Sequence, residues 1–348
     1  MSLPTDDRAR TLRPRALSLA VAFACAGCGV LPARSDDPAP VVRGPIADRI
    51  HHPVELTHLA FRPRSARTEP AGSRSWTITS SYTSLFQNGT GPGERVVVDG
   101  ELWRNSAALR YGLDERTDVE VELALVYASS GFLDQFVETF HEFLLLPDDG
   151  RDERPRFEYE VEIENDGQLA YELEETELGF GDLPVVLTHR LVDEGASSPA
   201  VAVRAGIELP IGSESKGLGS GGLDWGLGVL AERSWGRWTA SGAVDWTKTD
   251  DASSFERAGV DVLDDWDLQL GVEYRWSDGM SLLAGAILSR PITDDIEIEE
   301  IDAPTLALDL GVAWDVGEAS QIVVAFQEDV ISAAGPDFGV LVGWRFRR

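Results

Sequence analysis

The feature that most constrains this chain is a strict alternation of apolar and polar side chains bounded by tryptophans. From Trp238 to Trp246 the even-numbered residues are apolar or glycine, whereas the odd-numbered ones are mostly polar, and the segment from Trp266 to Trp276 repeats the pattern. Ten residues of strand tilted by about 40° span about 25 Å, the height of the apolar band of a transmembrane β-barrel. Indole rings at both ends of this band favour a barrel in a bilayer over a soluble sandwich.

The period-two pattern recurs along the chain and predicts an all-β fold, a transmembrane antiparallel up-and-down β-barrel of about 12 strands. Short turns alternate with longer loops, as they do on the periplasmic and outer sides of such barrels. Phe346, near the end of the last strand, resembles the signal read by the barrel assembly machinery. We therefore expect the cell outer membrane, with its lipid, its lipopolysaccharide and this machinery as partners. The predicted strands are 74–86, 97–111, 118–128, 180–191, 200–210, 222–233, 236–248, 266–276, 279–289, 305–316, 319–329 and 337–346.

The N-terminus predicts export. Arginines at 8–15 precede an apolar run at 16–26, which is long enough for a signal peptide and too short to span a bilayer. We assign residues 1–28 to this signal peptide. Cys25-Ala-Gly-Cys28 resembles a lipobox, which makes Cys28 a candidate lipidation site, although leucine is usual where Cys25 stands. Ordinary cleavage after Ala24-Cys-Ala26 is the alternative.

We predict that residues 29–73 form a proline-rich N-terminal periplasmic segment. Seven prolines punctuate the segment, and proline cannot donate to a sheet ladder. His51, His52 and His58 are of a residue type that binds metals. An ordinary surface segment is the plainer interpretation, and we predict no metal and no cofactor.

The barrel is predicted to occupy 74–348, with a long extracellular excursion at 129–179. Phenylalanines between Phe132 and Phe143 recur at helical spacing and predict one short amphipathic helix, which either rests on the barrel rim or caps the mouth. Residues 157–164 and 169–174 then predict a hairpin across an Asn-Asp-Gly-Gln turn. Four glutamates on one face repel each other, so we place this hairpin outside the membrane; if it spans, the barrel has 14 strands.

A family resemblance rests on the excursion. Ser130-Gly-Phe-Leu-Asp-Gln-Phe-Val-Glu-Thr-Phe-His-Glu-Phe143, the segment 147–155 and Leu178-Gly-Phe-Gly-Asp-Leu183 resemble an uncharacterised family of bacterial outer-membrane barrels, domain of unknown function 3187. Gly44-Pro45 resembles the family's N-terminal start, and Arg110-Tyr-Gly-Leu113 its first periplasmic turn. The resemblance covers about 44–346. It implies a barrel and supplies no activity or functional residue.

Composition excludes several classes of function. The formal net charge of -30 argues against nucleic acid as a partner, because phosphate binding needs a basic surface. A nucleophilic hydrolase needs a base beside its nucleophile, and the five histidines stand in no recognisable serine or cysteine setting. We predict that the chain is not an enzyme.

The polar faces of the predicted strands point to function instead. They carry charges of both signs, with acids outnumbering arginines, and we take Arg204, Glu208, Glu273 and Arg275 as candidate lumen charges. Such charges either plug a narrow barrel or line a narrow aqueous path. We hypothesise a narrow channel or uptake barrel for small solutes. The alternative is a non-conducting structural or surface-interaction barrel that uses the 129–179 excursion.

Overall fold

The computed structural model describes residues 42–144, 150–151, 154–330 and 335–347. In this part of the chain 12 antiparallel strands form a closed barrel, as predicted, because the first strand, β1, pairs with the last, β15. The strands are β1 (Arg74–Gly91), β2 (Glu94–Gly112), β3 (Thr117–Ser129), β7 (Leu183–Val192), β8 (Ala200–Leu209), β9 (Asp224–Trp235), β10 (Trp238–Lys248), β11 (Asp265–Ser277), β12 (Met280–Ser289), β13 (Thr305–Asp315), β14 (Ser320–Asp329) and β15 (Phe338–Arg347).

Three short strands lie beyond this ring. β4 (Glu160–Asn165) and β5 (Gln168–Glu172) form the predicted hairpin, and β4 pairs with the outer end of β2, at Arg95–Asp99. β6 (Leu178–Phe180) pairs with β3 beyond the end of β7. The hairpin therefore extends the wall outside the ring, and the 14-strand alternative is wrong.

The outward faces of the strands form an apolar belt with aromatic ends. On β10, Trp246 pairs with Trp266 at one end and Trp238 with Tyr274 at the other. Leu227, Val244 and Leu270, which lie between these ends, are exposed on the outer surface. A belt of apolar side chains is unfavourable in contact with water and is stabilised by contact with lipid hydrocarbon. The protein is therefore an outer-membrane barrel.

Three α-helices are present in the described residues, together with 3-10 turns at Glu55–Thr57 and Glu214–Lys216: α1 (Asp134–Leu144), α2 (Ser253–Ala258) and α3 (Glu299–Asp302). None of these is long and apolar enough to cross a bilayer. Helix α1 confirms the predicted amphipathic segment and lies on the outer wall. Its Phe140 ring stands 5.6 Å from Phe326 and 5.7 Å from Phe338, which face outward at the outer ends of β14 and β15. The helix therefore packs on the rim.

An apolar cap lies at the outer end of the barrel. Extended parts of β1 and β2, the β4–β5 hairpin, α2 and the segment 292–301 pack their apolar side chains into one buried cluster. Tyr171 stacks on Phe255 with a centroid distance of 6.0 Å, and Ile296 and Val260 have no exposed surface. We call this cluster the cap.

The segment predicted to be periplasmic lies inside the barrel. Residues 43–70 contact inward side chains of the strands over almost their whole length, and we call them the inner loop. The prediction of a periplasmic segment is therefore wrong for these residues. A lumen with a polar wall offers side-chain partners to a backbone that cannot join a sheet. The predicted signal peptide and Cys28 lie outside the described residues.

Candidate functional site: the lumen and the inner loop

The inner loop runs the length of the lumen twice. Its ascending leg (43–53) starts at the periplasmic end, where Arg43 Nε donates to Asp315 Oδ1 at 3.0 Å. Its apex (54–58) reaches the outer end, where Val54 is part of the cap. Its descending leg (59–70) returns to the periplasmic end, where Arg67 donates to Glu194 at 2.8 Å. The lumen is thus filled by two antiparallel passes of the chain's own backbone.

The ascending leg is held partly by apolar contacts. Ile46 packs with Leu283, and Ile50 with Ile287 and Ala307. Leu283 and Ile287 are inward residues of β12, the strand whose sequence is apolar on both faces. The unusual inner face of that strand is therefore a seat for the two isoleucines.

The descending leg is held by arginines. Arg64 binds Asp118 with both ends of its guanidinium, at 3.1 and 3.0 Å, and Thr188 Oγ1 accepts a further hydrogen bond at 2.8 Å. Arg62 lies 2.9 Å from Glu120 and 2.5 Å from Glu122. Planar guanidinium groups suit two-point binding of carboxylates, which fixes orientation as well as charge.

A predicted lumen charge, Arg204, lies at the centre of this arrangement. Its Nε donates to Asp245 at 2.6 Å, and its Nη1 donates to the backbone carbonyl of Arg62 at 2.7 Å. The guanidinium also lies over the Phe61 ring, 4.7 Å from the centroid. Gly226 makes room for that ring, because a Cβ there would lie 2.7 Å from it.

The other three predicted lumen charges differ in position. Glu273 accepts backbone hydrogen bonds from Arg43 and Gly44, at 2.9 and 3.0 Å. Glu208 is buried on the inner face of β8 with 4% of its surface exposed. Arg275 instead donates to the Gly236 carbonyl at the periplasmic rim, at 2.6 Å, in an exposed contact. The structure therefore brings Arg204, Glu208 and Glu273 to the inner loop and leaves Arg275 at the edge.

The histidines of the inner loop bind separate partners. His51 Nδ1 lies 2.9 Å from Thr83 Oγ1, His52 Nε2 lies 3.0 Å from Gln87 Oε1, and His58 Nδ1 lies 3.4 Å from Asp224. All three rings are buried, so the interpretation of this stretch as ordinary surface is wrong. Within the described residues no cluster of three or more potential ligands could hold a metal ion.

The wall and the inner loop are complementary in charge. Among the described inward residues, the arginines include Arg104, Arg110, Arg204 and Arg345, whereas the acids include Asp118, Glu120, Glu122, Glu208, Asp224, Glu232, Asp245, Asp267, Glu273 and Asp309. The inner loop places Arg43, Arg49, Arg62, Arg64 and Arg67 among them. Carboxylates taken out of water need such partners, because an unpaired buried charge is strongly destabilising.

Sequence reasoning missed these arginines as functional residues, yet a signal was present. The predicted lumen face carried more acids than arginines, and a narrow barrel does not tolerate such an excess without counter-charges. The spacing of Arg62, Arg64 and Arg67 within the proline-rich segment could have supplied them.

Comparisons with known proteins agree with this architecture. A family model described as "Protein of unknown function (DUF3187)" matches residues 25–348. Among solved structures, the COG4313 outer membrane channel from Pseudomonas putida F1 superposes with a TM-score of 0.55 at 16% identity, over 82% of this chain and 99% of that one. This likeness shows the barrel fold.

Two other solved structures match less well. They are the KdgM porin, with a TM-score of 0.39 at 8% identity over 78% of this chain and 98% of that one, and the P. putida toluene transporter TodX, with 0.36 at 10% identity over 86% and 92%. These likenesses are too low to carry an argument. None of the curated proteins matches the chain.

Proposed function

Because the chain belongs to the DUF3187 family of proteins of unknown function, we propose its role from its own lumen: a narrow outer-membrane channel for small solutes, closed in this conformation by the inner loop. The observation that carries the proposal is the polar attachment of this loop. Its descending leg is held by ion pairs, among them Arg64 with Asp118 and Arg62 with Glu120.

A loop that is held by polar contacts can leave the lumen more easily than one held by apolar contacts. Buried ion pairs contribute little net stability, since what the charges gain by pairing is offset by the water they lose. Water that enters the lumen can solvate both partners as they separate. The wall that remains is lined with carboxylates, hydroxyls and arginines, and such a wall holds an aqueous path.

The cap is coupled to the same movement. Val54, at the apex of the inner loop, has 1% of its surface exposed and packs within the cap cluster. Withdrawal of the inner loop removes this contact from beneath the cap. The cap is then weakened whenever the inner loop moves toward the periplasm.

A reversible cross-link tests the proposal. A Cβ at Gly271 would lie 3.0 Å from the Cβ of Pro45, close to the separation of about 3.8 Å across a disulfide. We expect the full-length variant Pro45→Cys/Gly271→Cys to be silent in a planar bilayer when oxidised and to conduct after addition of dithiothreitol. The single variant Gly271→Cys serves as the control and should not respond to dithiothreitol. Equal current in the oxidised and reduced states would reject gating by the loop, and no current in either state would reject the channel.

The surface-interaction alternative has one observation in its favour. Phe132, Phe136 and Phe143 of the excursion are exposed, at 67%, 51% and 82%. Contact with lipid at the barrel rim explains the exposure of these rings, because Phe136 also touches the outward-facing Phe338 with a centroid distance of 5.1 Å. If the excursion instead binds a second surface, the barrel held in a lipid nanodisc should bind added lipopolysaccharide vesicles, and Phe132→Ser/Phe143→Ser should abolish this binding while the barrel stays heat-modifiable.

A further inference from the structure

The contacts between the inner loop and the wall indicate the chemistry of the solutes that the proposed channel takes. The wall holds the loop through sites that fit guanidinium groups. The site around Asp118 is the clearest, because this carboxylate is fully buried and meets Arg64 with both oxygens. Thr188 completes it as a third acceptor at 2.8 Å.

A second site lies beside the first on β3. Glu120 and Glu122 lie 2.9 and 2.5 Å from Arg62, and each also binds an arginine of the neighbouring strand, Arg110 or Arg104. When Arg62 leaves, these two glutamates keep one wall arginine each. A cation that enters between them therefore meets carboxylates already held in position.

Glu208 provides an independent sign that the wall has unused capacity for a cation. It is 4% exposed, and its Oε2 atom makes no hydrogen bond within the described part of the chain. The inner-loop cation that acts on it is Arg49. Withdrawal of the inner loop removes Arg49 and admits water to this carboxyl, so Glu208 can then take a cation from the lumen.

We propose that the solutes of this channel are small organic cations bearing guanidinium or amine groups, and that arginines of the inner loop occupy their positions in the closed state. The inference rests on the proposed function. An incoming guanidinium can replace Arg64 or Arg62 at the same carboxylates, which supplies the binding energy that the departing loop loses. Anions of the same size are repelled by the acids of the wall.

The test uses the full-length chain with a loosened loop. The variant Arg62→Gln/Arg64→Gln is placed in a planar bilayer under a KCl gradient, and its reversal potential is measured. We expect a reversal potential whose sign indicates cation selectivity. Guanidinium chloride and arginine amide should partly block the current, and sodium glutamate should not. Adding Asp118→Asn/Glu120→Gln should weaken the block by about tenfold, or ~1.4 kcal/mol.

The matched control is Glu172→Gln/Glu174→Gln, which neutralises two exposed acids on and beside β5. It should change neither the reversal potential nor the block. A reversal potential of the opposite sign, or equal block by guanidinium and glutamate, would overturn the substrate class and leave the channel standing. No current from the loosened variant, with the barrel still heat-modifiable, would overturn both.

Discussion

The two legs of the inner loop pass through the same lumen but are attached to it in different ways. The ascending leg seats Ile46 and Ile50 on apolar inward residues, and its Arg49 donates to the loop's own carbonyls at Glu55 and His58, at 2.5 and 3.1 Å. The descending leg directs Arg62, Arg64 and Arg67 to carboxylates of the barrel.

This difference assigns the legs different tasks. Apolar burial of Ile46 and Ile50 stabilises the ascending leg under all ionic conditions, although its first residue, Arg43, also pairs with Asp315. The ion pairs of the descending leg weaken as soon as water enters. The descending leg is therefore the part that detaches first, and the ascending leg is the anchor, whose release completes the opening that a disulfide between positions 45 and 271 prevents. Substitutions in one leg at a time test this assignment.

The largest effect is expected on the descending leg. Arg64→Leu leaves Asp118 buried without its guanidinium partner, and breaking such a pair costs about 3–5 kcal/mol. Amide hydrogen exchange should accelerate strongly over 59–70 and little over 43–53. The double variant Arg64→Leu/Asp118→Leu removes both charges and should recover most of the protection. If the double variant exchanges as fast as the single one, the ion pair does not hold this leg.

A smaller effect is expected on the ascending leg. Ile46→Ala removes a buried side chain from the cluster with Leu283 and Leu341, at a cost of about 2–4 kcal/mol. Exchange should accelerate over 43–53 while 59–70 stays protected. Ile78→Ala, at an exposed position on β1, serves as the control and should leave both legs unchanged. Equal acceleration of both legs would show that they move as one unit.

The contact between the descending leg and Arg204 should contribute less. Phe61→Leu keeps an apolar side chain but removes the ring face beneath the guanidinium, a loss of about 1 kcal/mol. Phe61→Tyr retains the face and should behave as the wild type in hydrogen exchange over 59–70. Identical protection in the leucine variant would mean that packing alone holds Phe61.

The barrel could be predicted from sequence because its signal is local. Alternation around Trp238 and Trp246 reports which face meets lipid, whatever the rest of the chain does. The inner loop depends instead on partners far along the chain, since Arg43 and Asp315 are 272 residues apart. Prolines correctly excluded strands from 42–73, but they carry no information about whether a non-strand segment lies outside a barrel or within it.

The cap was missed for a related reason. The segment 290–303 is dominated by acidic side chains, which on their own favour a solvated loop. The isoleucines between these acids, such as Ile296 and Ile298, turn inward and bury themselves against the outer parts of other hairpins. Their signal was present in the sequence, but the surface that covers them is assembled only when the barrel closes.

The smallest effect is expected at α1, which docks outside the lumen and so provides a reference for both legs. Burial lowers the pKa of His141, but the hydrogen bond with Glu328 and the charge of Asp337 raise it by more, and the net pKa lies above its usual value. A raised histidine pKa stabilises docking fully below the unfolded value of about 6.5, and the stabilisation is lost as pH rises through the folded value. Exchange over 134–143, corrected for its intrinsic pH dependence, should therefore accelerate across that window and be flat in His141→Gln. His141→Gln should leave the pH profiles of exchange in both inner-loop legs unchanged. If it shifts them, α1 and the inner loop are coupled through the wall, and the separation between anchor and opening leg must be extended to the outer surface.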